Sequence, residues 1–94
     1  MAGYWIVRGS ELRDPDALQQ YGQLWPAIAE RFGAVVIAGK GQVETREGPA
    51  FARQLIVRFD SYEQAVACYD SPEYQQAKAL ALKASDRELA IVEG

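Results

Sequence analysis

Histidine is absent from this chain of 94 residues, and cysteine occurs only once, as Cys68. Without an imidazole, the chain lacks the commonest metal ligand and any cysteine–histidine nucleophile pair, so several enzyme classes are excluded and we expect no metal site. A single cysteine cannot form an internal disulfide, and the apolar neighbours of Cys68 predict that it is a small core residue.

The chain also lacks a basic stripe and a long apolar run. Its net charge is −3 and its ten Lys and Arg residues are scattered, so we expect no nucleic-acid partner. Unbroken apolar runs such as 34–38 are far shorter than the roughly 20 residues that cross a bilayer. The first four residues, MAGY, carry no charged-then-apolar leader. We therefore expect a cytoplasmic protein that does not bind membranes.

What the chain does contain is the composition of an ordinary folded domain. Apolar residues make up 49% and charged residues 24%, far from the polar, highly charged compositions of disordered chains. Single domains usually hold about 50 to 250 residues. We therefore interpret residues 1–94 as one domain.

The first half of the chain has a strand pattern followed by a long helix pattern. Residues 4–8 are aromatic and β-branched, which predicts a strand. Asp14 and Pro15 form a typical helix start, and Gly33 is placed to end that helix. The large apolar residues between them recur at steps of three and four, which places them on one helix face. They are Leu18, Tyr21, Trp25, Ile28 and Phe32.

The second half predicts three further strands and a two-part helical crossover. The apolar run 34–38 is typical of a strand buried on both faces, and residues 42–46 extend it or form a second short strand. Residues 54–59 and 89–92 have the composition of strands. Between them, Ser61 caps a helix through Tyr69, and Ser71 followed by Pro72 starts another that runs to about residue 84.

When the two helical segments are counted as one crossover, the order of elements is strand, helix, strand, strand, helix, strand. Two split βαβ halves with right-handed crossovers predict a ferredoxin-like α+β sandwich, in which one face of a four-stranded antiparallel sheet carries the helices. Side chains alternate along a strand, so Leu55, Val57 and Phe59 share the more apolar face and should be covered by the helices. The opposite face keeps apolar residues mixed with charge, which favours a homodimer interface.

Two arginines are predicted at the same end of the sheet. The first and third strands are antiparallel neighbours in this topology, so Arg8 and Arg53 should lie toward the same end of the sheet. Like charges repel unless they are compensated, and the candidate acids are Glu44, Glu47 and Glu93. A bound anion is the functional alternative.

Motifs over nearly the whole chain resemble those of one bacterial protein family. They are Tyr4, Asp14-Pro15, Tyr21, Arg31-Phe32-Gly33, Glu47-Gly48, Arg53 before the aliphatic strand that ends in Phe59, and the segment Tyr69 to Tyr74. The chain resembles the bacterial domain-of-unknown-function family thirteen-thirty, and the segment from Tyr69 to Tyr74 is the most specific match.

That resemblance implies membership of the dimeric α/β-barrel superfamily, in which two sheets pair face to face. It implies the ferredoxin-like fold and a homodimer, but no known activity. Relatives in the superfamily include cofactor-independent monooxygenases, isomerases of small ring compounds and haem-handling proteins, commonly with a pocket between sheet and helices. On this basis we expect no cofactor.

Six residues are candidates for a ligand site between the helices and the sheet. They are Trp5, Tyr21, Trp25, Arg53, Tyr69 and Tyr74. One interpretation is a pocket that binds or transforms a small aromatic or acidic metabolite without a cofactor, with Arg53 pairing with its charge. The other is a non-catalytic dimeric interaction domain whose aromatics only fill the core. No catalytic residue is indicated, although Glu47 is the best carboxylate candidate for a base.

Overall fold

The computed structural model describes residues 1–94 and confirms the ferredoxin-like α+β fold. The elements are β1 (Gly3–Gly9), α1 (Pro15–Phe32), β2 (Val35–Ala38), β3 (Arg53–Phe59), α2 (Tyr62–Asp70), α3 (Pro72–Ala84) and β4 (Arg87–Glu93). The strands form one antiparallel sheet in the order β2-β3-β1-β4. Helices α2 and α3 together make the second crossover, as predicted.

Helix α1 begins and ends at the residues that the sequence predicts. The Asp14 carboxylate accepts a hydrogen bond from the Ala17 backbone N–H at 3.1 Å, and Pro15 takes the first helical position. Gly33 ends the helix in a left-handed conformation with φ of 67°. Glycine adopts that conformation without the steric cost that a side chain would bring.

The junction between α2 and α3 depends on Ser71. Its hydroxyl donates to the Cys68 carbonyl at 2.7 Å and accepts from the Tyr74 backbone N–H at 3.1 Å. One buried side chain therefore ends α2 and starts α3, which satisfies groups that helix ends leave unpaired. This turn orients Tyr69 and Tyr74, on either side of it, toward the same aromatic cluster.

The core lies between the helices and one face of the sheet. Trp5 and Val7 of β1 and Val57 and Phe59 of β3 are buried there, so the predicted alternation along β3 is confirmed. All three helices contribute residues to the same cluster, which are Ile28, Ala65, Cys68, Tyr74 and Ala77. The small side chains on α2 and α3 leave room for the large rings.

Strand β2 differs from the prediction. The apolar run was predicted to be buried on both faces, yet β2 lies at the edge of the sheet and pairs only with β3. Val35 is 55% exposed and Ile37 is 51% exposed, because nothing in the single chain covers this edge. Residues 42–46 form no strand and lie in the irregular connection between β2 and β3.

The sheet face opposite the helices carries a continuous apolar row. Register places Ala38 opposite Ile56, Ile56 opposite Ile6, and Ile6 opposite Ala90, so the row crosses all four strands. A neighbouring row ends in exposed Val92. We call this surface, formed by the two rows, the open face.

None of the three helices combines the length and apolar content that crossing a bilayer requires.

Close packing of β1 against the start of α2 leaves no room for a side chain at Gly3. An added Cβ at Gly3 would lie 2.7 Å from both the Ser61 carbonyl oxygen and the Tyr62 Cα, which belong to the backbone and cannot swing away. We expect Gly3→Ala to lower the free energy of unfolding by about 1 to 3 kcal/mol, the usual cost of overpacking. Urea unfolding followed by circular dichroism measures this loss.

Gly41→Ala is the matched control, because an added Cβ there meets nothing within 4 Å. We expect this variant to stay within about 0.5 kcal/mol of the parent protein. Equal stabilities for the two variants would contradict the close approach of β1 to α2.

Candidate functional site

A cleft of about 160 Å³ opens between α1 and the helix-facing side of the sheet. It lies where β1 ends and where β3 and β4 begin. Twelve residues line it: Trp5, Val7, Gly9, Leu18, Tyr21, Trp25, Val36, Arg53, Leu55, Val57, Ser85 and Arg87. Most of them are apolar, and no Asp or Glu is among them.

Aromatic rings form one wall of the cleft. Trp5 is 1% exposed, and its indole N–H donates to the Ala65 carbonyl at 3.0 Å, so the ring is held in place. Trp25 lies 5.8 Å from Trp5, measured between ring centroids. Tyr21 is nearly parallel to Trp25, with 6.3 Å between centroids and 8° between planes. The helical spacing of Tyr21 and Trp25 on α1 places both rings against the sheet.

Two arginines lie on either side of a glycine at the end of the sheet. Gly9 of β1 is opposite Arg53 of β3 and opposite Arg87 of β4. By strand alternation, both arginines share the helix-facing side with Leu55 and Leu89. Gly9 adds no side chain between them, and all three residues line the cleft.

These two arginines differ from all others in the chain. The other five each lie within 4.0 Å of a carboxylate, in the pairs Arg8–Glu88, Arg13–Asp86, Arg31–Glu73, Arg46–Glu44 and Arg58–Asp60. Arg53 and Arg87 have no such partner. The cleft therefore presents two positive charges and no negative charge of its own.

A buried phenol connects Arg87 to the wall of the cleft. Arg87 Nη2 donates to the Tyr74 hydroxyl at 3.2 Å, and the Tyr74 and Tyr21 hydroxyls are 3.4 Å apart. Burial raises the pKa of Tyr74 well above that of a free phenol, and the neighbouring Tyr21 raises it further, whereas the charge of Arg87 acts in the opposite direction. Tyr74 is therefore a neutral phenol at any physiological pH.

The structure divides the six candidate site residues between two spaces. Trp5, Tyr21, Trp25 and Arg53 line the cleft. Tyr69 and Tyr74 do not line the cleft but line a separate hollow of about 90 Å³. Tyr74 remains connected to the cleft through its contact with the Tyr21 hydroxyl. Glu47, the candidate base, is exposed on the connection between β2 and β3 and does not line the cleft.

Sequence reasoning missed Arg87. It lines both spaces, but the last strand was predicted to begin at residue 89, which left Arg87 outside any element. Extending the alternation of Leu89 and Ile91 back by two residues would have placed Arg87 on the helix-facing side of β4. The alternation of side chains along the strand was therefore sufficient to predict the position of this arginine.

The predicted neighbourhood of Arg8 and Arg53 is partly wrong. Register confirms that the two residues lie at the same sheet end, since Arg8 is opposite Gln54 and Gly9 is opposite Arg53. Alternation nevertheless sends their side chains to opposite faces, so their charges do not face each other. Arg8 pairs with Glu88 on β4 at 2.8 Å rather than with any of the predicted acids.

No group of three or more Cys, Asp or Glu side chains is arranged to hold a metal ion. Apart from the two tryptophans, the polar side chains that line the cleft are those of Tyr21, Ser85, Arg53 and Arg87. Guanidinium groups are hydrogen-bond donors only and suit anions rather than cations.

Fold and cleft together define a small ferredoxin-like α+β domain with an apolar, positively charged cleft between sheet and helices. The chain belongs to the family described as "Domain of unknown function (DUF1330)", whose sequence profile matches residues 2–94. The resemblance seen in the sequence is thus confirmed. No curated protein matches the chain.

Solved structures with the same fold include proteins of unknown function and one oxygenase. A protein of unknown function from Rhodopseudomonas palustris is 23% identical, with a TM-score of 0.73 over 99% of this chain and 82% of that one. A dimeric ferredoxin-like protein of unknown function from Thermobifida fusca is 14% identical, with a TM-score of 0.64 over 100% of this chain and 92% of that one. SnoaB, a cofactor-independent oxygenase from Streptomyces nogalater, is 9% identical, with a TM-score of 0.57 over 99% of this chain and 92% of that one. At these identities the likeness shows the fold alone.

Burial of Cys68 and Tyr74 predicts that the protein loses stability in alkali. Burial raises the pKa of Cys68 from 9.0 to about 12 and raises that of Tyr74 as well. Between pH 9 and pH 12 the unfolded chain releases the Cys68 proton while the folded chain keeps it, so rising pH favours unfolding. The stabilising contribution is complete below pH 9 and is lost as the pH rises through this window.

Urea unfolding at a series of pH values from 7 to 11 measures this loss for the parent protein and for Cys68→Ala. Other groups titrate in the same range, so the difference between the two proteins isolates the cysteine. We expect the free energy of unfolding to fall less steeply above pH 9 in Cys68→Ala. Parallel profiles would contradict a buried, protonated thiol.

Proposed function

We propose that this protein binds a small, single-ring aromatic carboxylate in the cleft, with Arg53 pairing with the carboxylate. The observation that carries the proposal is that the only two arginines without an acidic partner both line one apolar cleft that contains no acid. A guanidinium group offers paired N–H donors that match the two oxygens of a carboxylate.

The size of the cleft supports a ligand with one ring. Its volume of about 160 Å³ is close to the roughly 150 Å³ of an engineered apolar cavity that binds benzene. Larger planar molecules would have to extend out of the cleft into solvent.

The lining supports an aromatic ligand. Trp5, Tyr21 and Trp25 present ring faces and edges on one side, and Leu55 and Val57 present aliphatic groups on the other. Stacked or edge-to-face aromatic pairs add about 0.5 to 1.5 kcal/mol beyond the burial of apolar area. A ligand site with many apolar groups and a few convergent polar groups has the usual composition of a metabolite pocket.

The alternative interpretation, aromatics that only fill a core, predicts no space beside the rings. The cleft argues against that for Trp5, Tyr21 and Trp25. Tyr74 and Cys68, by contrast, are almost completely buried from solvent. The aromatic cluster therefore has one side that stabilises the fold and another side that is free to contact a ligand. The proposal is limited to binding, which requires no cofactor, because the oxygenase neighbour shares only the fold.

Benzoate is the probe that tests the proposal. Trp5 and Trp25 line the cleft, so bound benzoate should change the tryptophan fluorescence of the parent protein. Because a hydrogen bond to a charged group contributes about 1.5 to 3 kcal/mol, we expect Arg53→Gln to weaken benzoate binding at least about tenfold. Isothermal titration calorimetry gives the dissociation constants.

Two controls separate the carboxylate contact from general effects of charge. Arg46→Gln removes the same charge from the exposed β2–β3 connection and should leave benzoate affinity unchanged. Benzyl alcohol, which has the ring without the charge, should bind the parent protein and Arg53→Gln with similar affinity. Absence of benzoate binding to the parent protein, or equal binding to both arginine variants, would refute the proposal.

We further propose that two copies of the chain pair through their open faces. The apolar row from Ala38 through Ile56 and Ile6 to Ala90 supports this, because contiguous apolar surface is typical of interaction sites. The exposed apolar edge strand β2 would be covered in such a pair. A structural neighbour from Thermobifida fusca is described as dimeric and ferredoxin-like.

A charge at the centre of the open face should separate the copies. We expect Ile56→Lys to sediment as a monomer at micromolar concentrations at which the parent protein sediments as a dimer, because an unpaired charge is costly to bury. Leu24→Lys is the matched control, since Leu24 is partly exposed on α1 and lies outside the open face. A monomeric parent protein, or an Ile56→Lys variant that remains dimeric, would exclude this mode of pairing.

A further inference from the structure

Three side chains form a series of hydrogen bonds that ends at the cleft, which we call the relay. Arg87 starts β4, Tyr74 lies in the first turn of α3, and Tyr21 lies on α1, so three separate elements bring them together. The Arg87–Tyr74 contact is 3.2 Å and the Tyr74–Tyr21 contact is 3.4 Å. The Arg87 guanidinium also lies 5.8 Å from the centre of the Tyr21 ring.

The donor-to-acceptor direction of the relay follows from which groups carry a hydrogen to donate. A guanidinium group only donates, so the Tyr74 oxygen is the acceptor in its contact with Arg87. Tyr74 is 1% exposed, and the Tyr21 oxygen is the remaining partner of its hydroxyl. If Tyr21 were the donor, the Tyr74 proton would have no acceptor among the protein atoms, and an unpaired buried donor is costly. Tyr74 therefore donates to Tyr21.

The consequence is a free donor that faces the cleft. The Tyr21 oxygen accepts from Tyr74, and no acceptor within the chain takes the proton of Tyr21 itself. Tyr21 lines the cleft, so this proton is available to a bound molecule. Hydrogen bonds linked in series polarise one another, and this relay starts at the positive charge of Arg87. The Tyr21 hydroxyl is thus a stronger donor than an isolated phenol.

The donor and the carboxylate anchor are on different sides of the cleft. Arg53 belongs to β3 and Arg87 to β4, with β1 between them. Neighbouring strands are about 4.8 Å apart, so the two backbones are separated by roughly 10 Å. Tyr21 lies beside Arg87. A ring whose carboxylate pairs with Arg53 would therefore present its far side to Tyr21.

We propose that Tyr21 donates a hydrogen bond to a second oxygen of the ligand, an inference that rests on the proposed function. The substrate class is then an aromatic acid that carries a carbonyl or other oxygen acceptor across the ring from its carboxylate. Tyr21 is the residue that recognises this oxygen. Tyr74 and Arg87 are positioning residues that act through Tyr21.

Paired ligands measure this recognition separately from the carboxylate contact. Benzoate has only the carboxylate, whereas 3-acetylbenzoate and 4-acetylbenzoate add a carbonyl acceptor at two positions. We expect Tyr21→Phe to weaken binding of one acetylbenzoate about fivefold more than it weakens binding of benzoate, the effect of one hydrogen bond. Isothermal titration calorimetry gives both dissociation constants.

Tyr74→Phe tests the relay itself. This variant keeps the buried ring but removes the hydroxyl that orients Tyr21. We expect the acetylbenzoate to lose about two- to threefold more affinity than benzoate. In the double variant Tyr21→Phe/Tyr74→Phe the loss should equal that of Tyr21→Phe alone, because Tyr74 acts only through Tyr21. Tyr62→Phe, on the exposed start of α2, is the control that should change neither affinity.

The outcomes distinguish this inference from the proposed function. If benzoate does not bind the parent protein, both are overturned. If benzoate binds but Tyr21→Phe weakens both ligands equally or neither, the proposed function stands and the recognition of a second oxygen is overturned. If the double variant loses the sum of the single losses, the relay is overturned. Should Tyr74→Phe melt too low to assay, Arg87→Lys, which keeps the charge but not the guanidinium geometry, serves in its place.

Discussion

Trp5 is the residue on which the rest of the domain depends. It lies in the central strand β1, and its ring packs against Trp25 of α1, Phe59 of β3, and Tyr69 and Tyr74 beside the α2–α3 turn. Its indole N–H donates to the backbone of α2. A buried indole needs both its apolar contacts and its hydrogen-bond partner, so one side chain determines how three helices lie on the sheet.

The same packing leaves a cleft at one end of the sheet. Rings that fill the middle of the layer stop short of Gly9, where the missing side chain and two unpaired arginines leave an open, positively charged space. Folding does not require this arrangement, since an unpaired charge beside apolar groups is destabilising rather than stabilising. Features that cost stability without structural compensation are commonly found at functional sites.

Local signals predicted most of the fold. Asp14, Gly33, Ser61 and Ser71 mark helix ends through hydrogen bonds to residues a few positions away, and such bonds depend little on the rest of the chain. Strand β2 was misread because a continuous apolar run has the same appearance whether neighbouring strands or a second subunit would cover it. Residues 42–46 were expected to extend that strand or to form another, but they pair with no strand and lie in the irregular β2–β3 connection.

The sequence by itself determined the order of elements, the capping residues and the aromatic character of the site, because each depends on residues close together along the chain. Only the tertiary structure decided that Arg87 joins Arg53 beside the cleft and that Arg8 turns away to Glu88. Strand pairing brings together residues that are far apart in sequence, and a single step along a strand reverses the face of the sheet to which a side chain belongs.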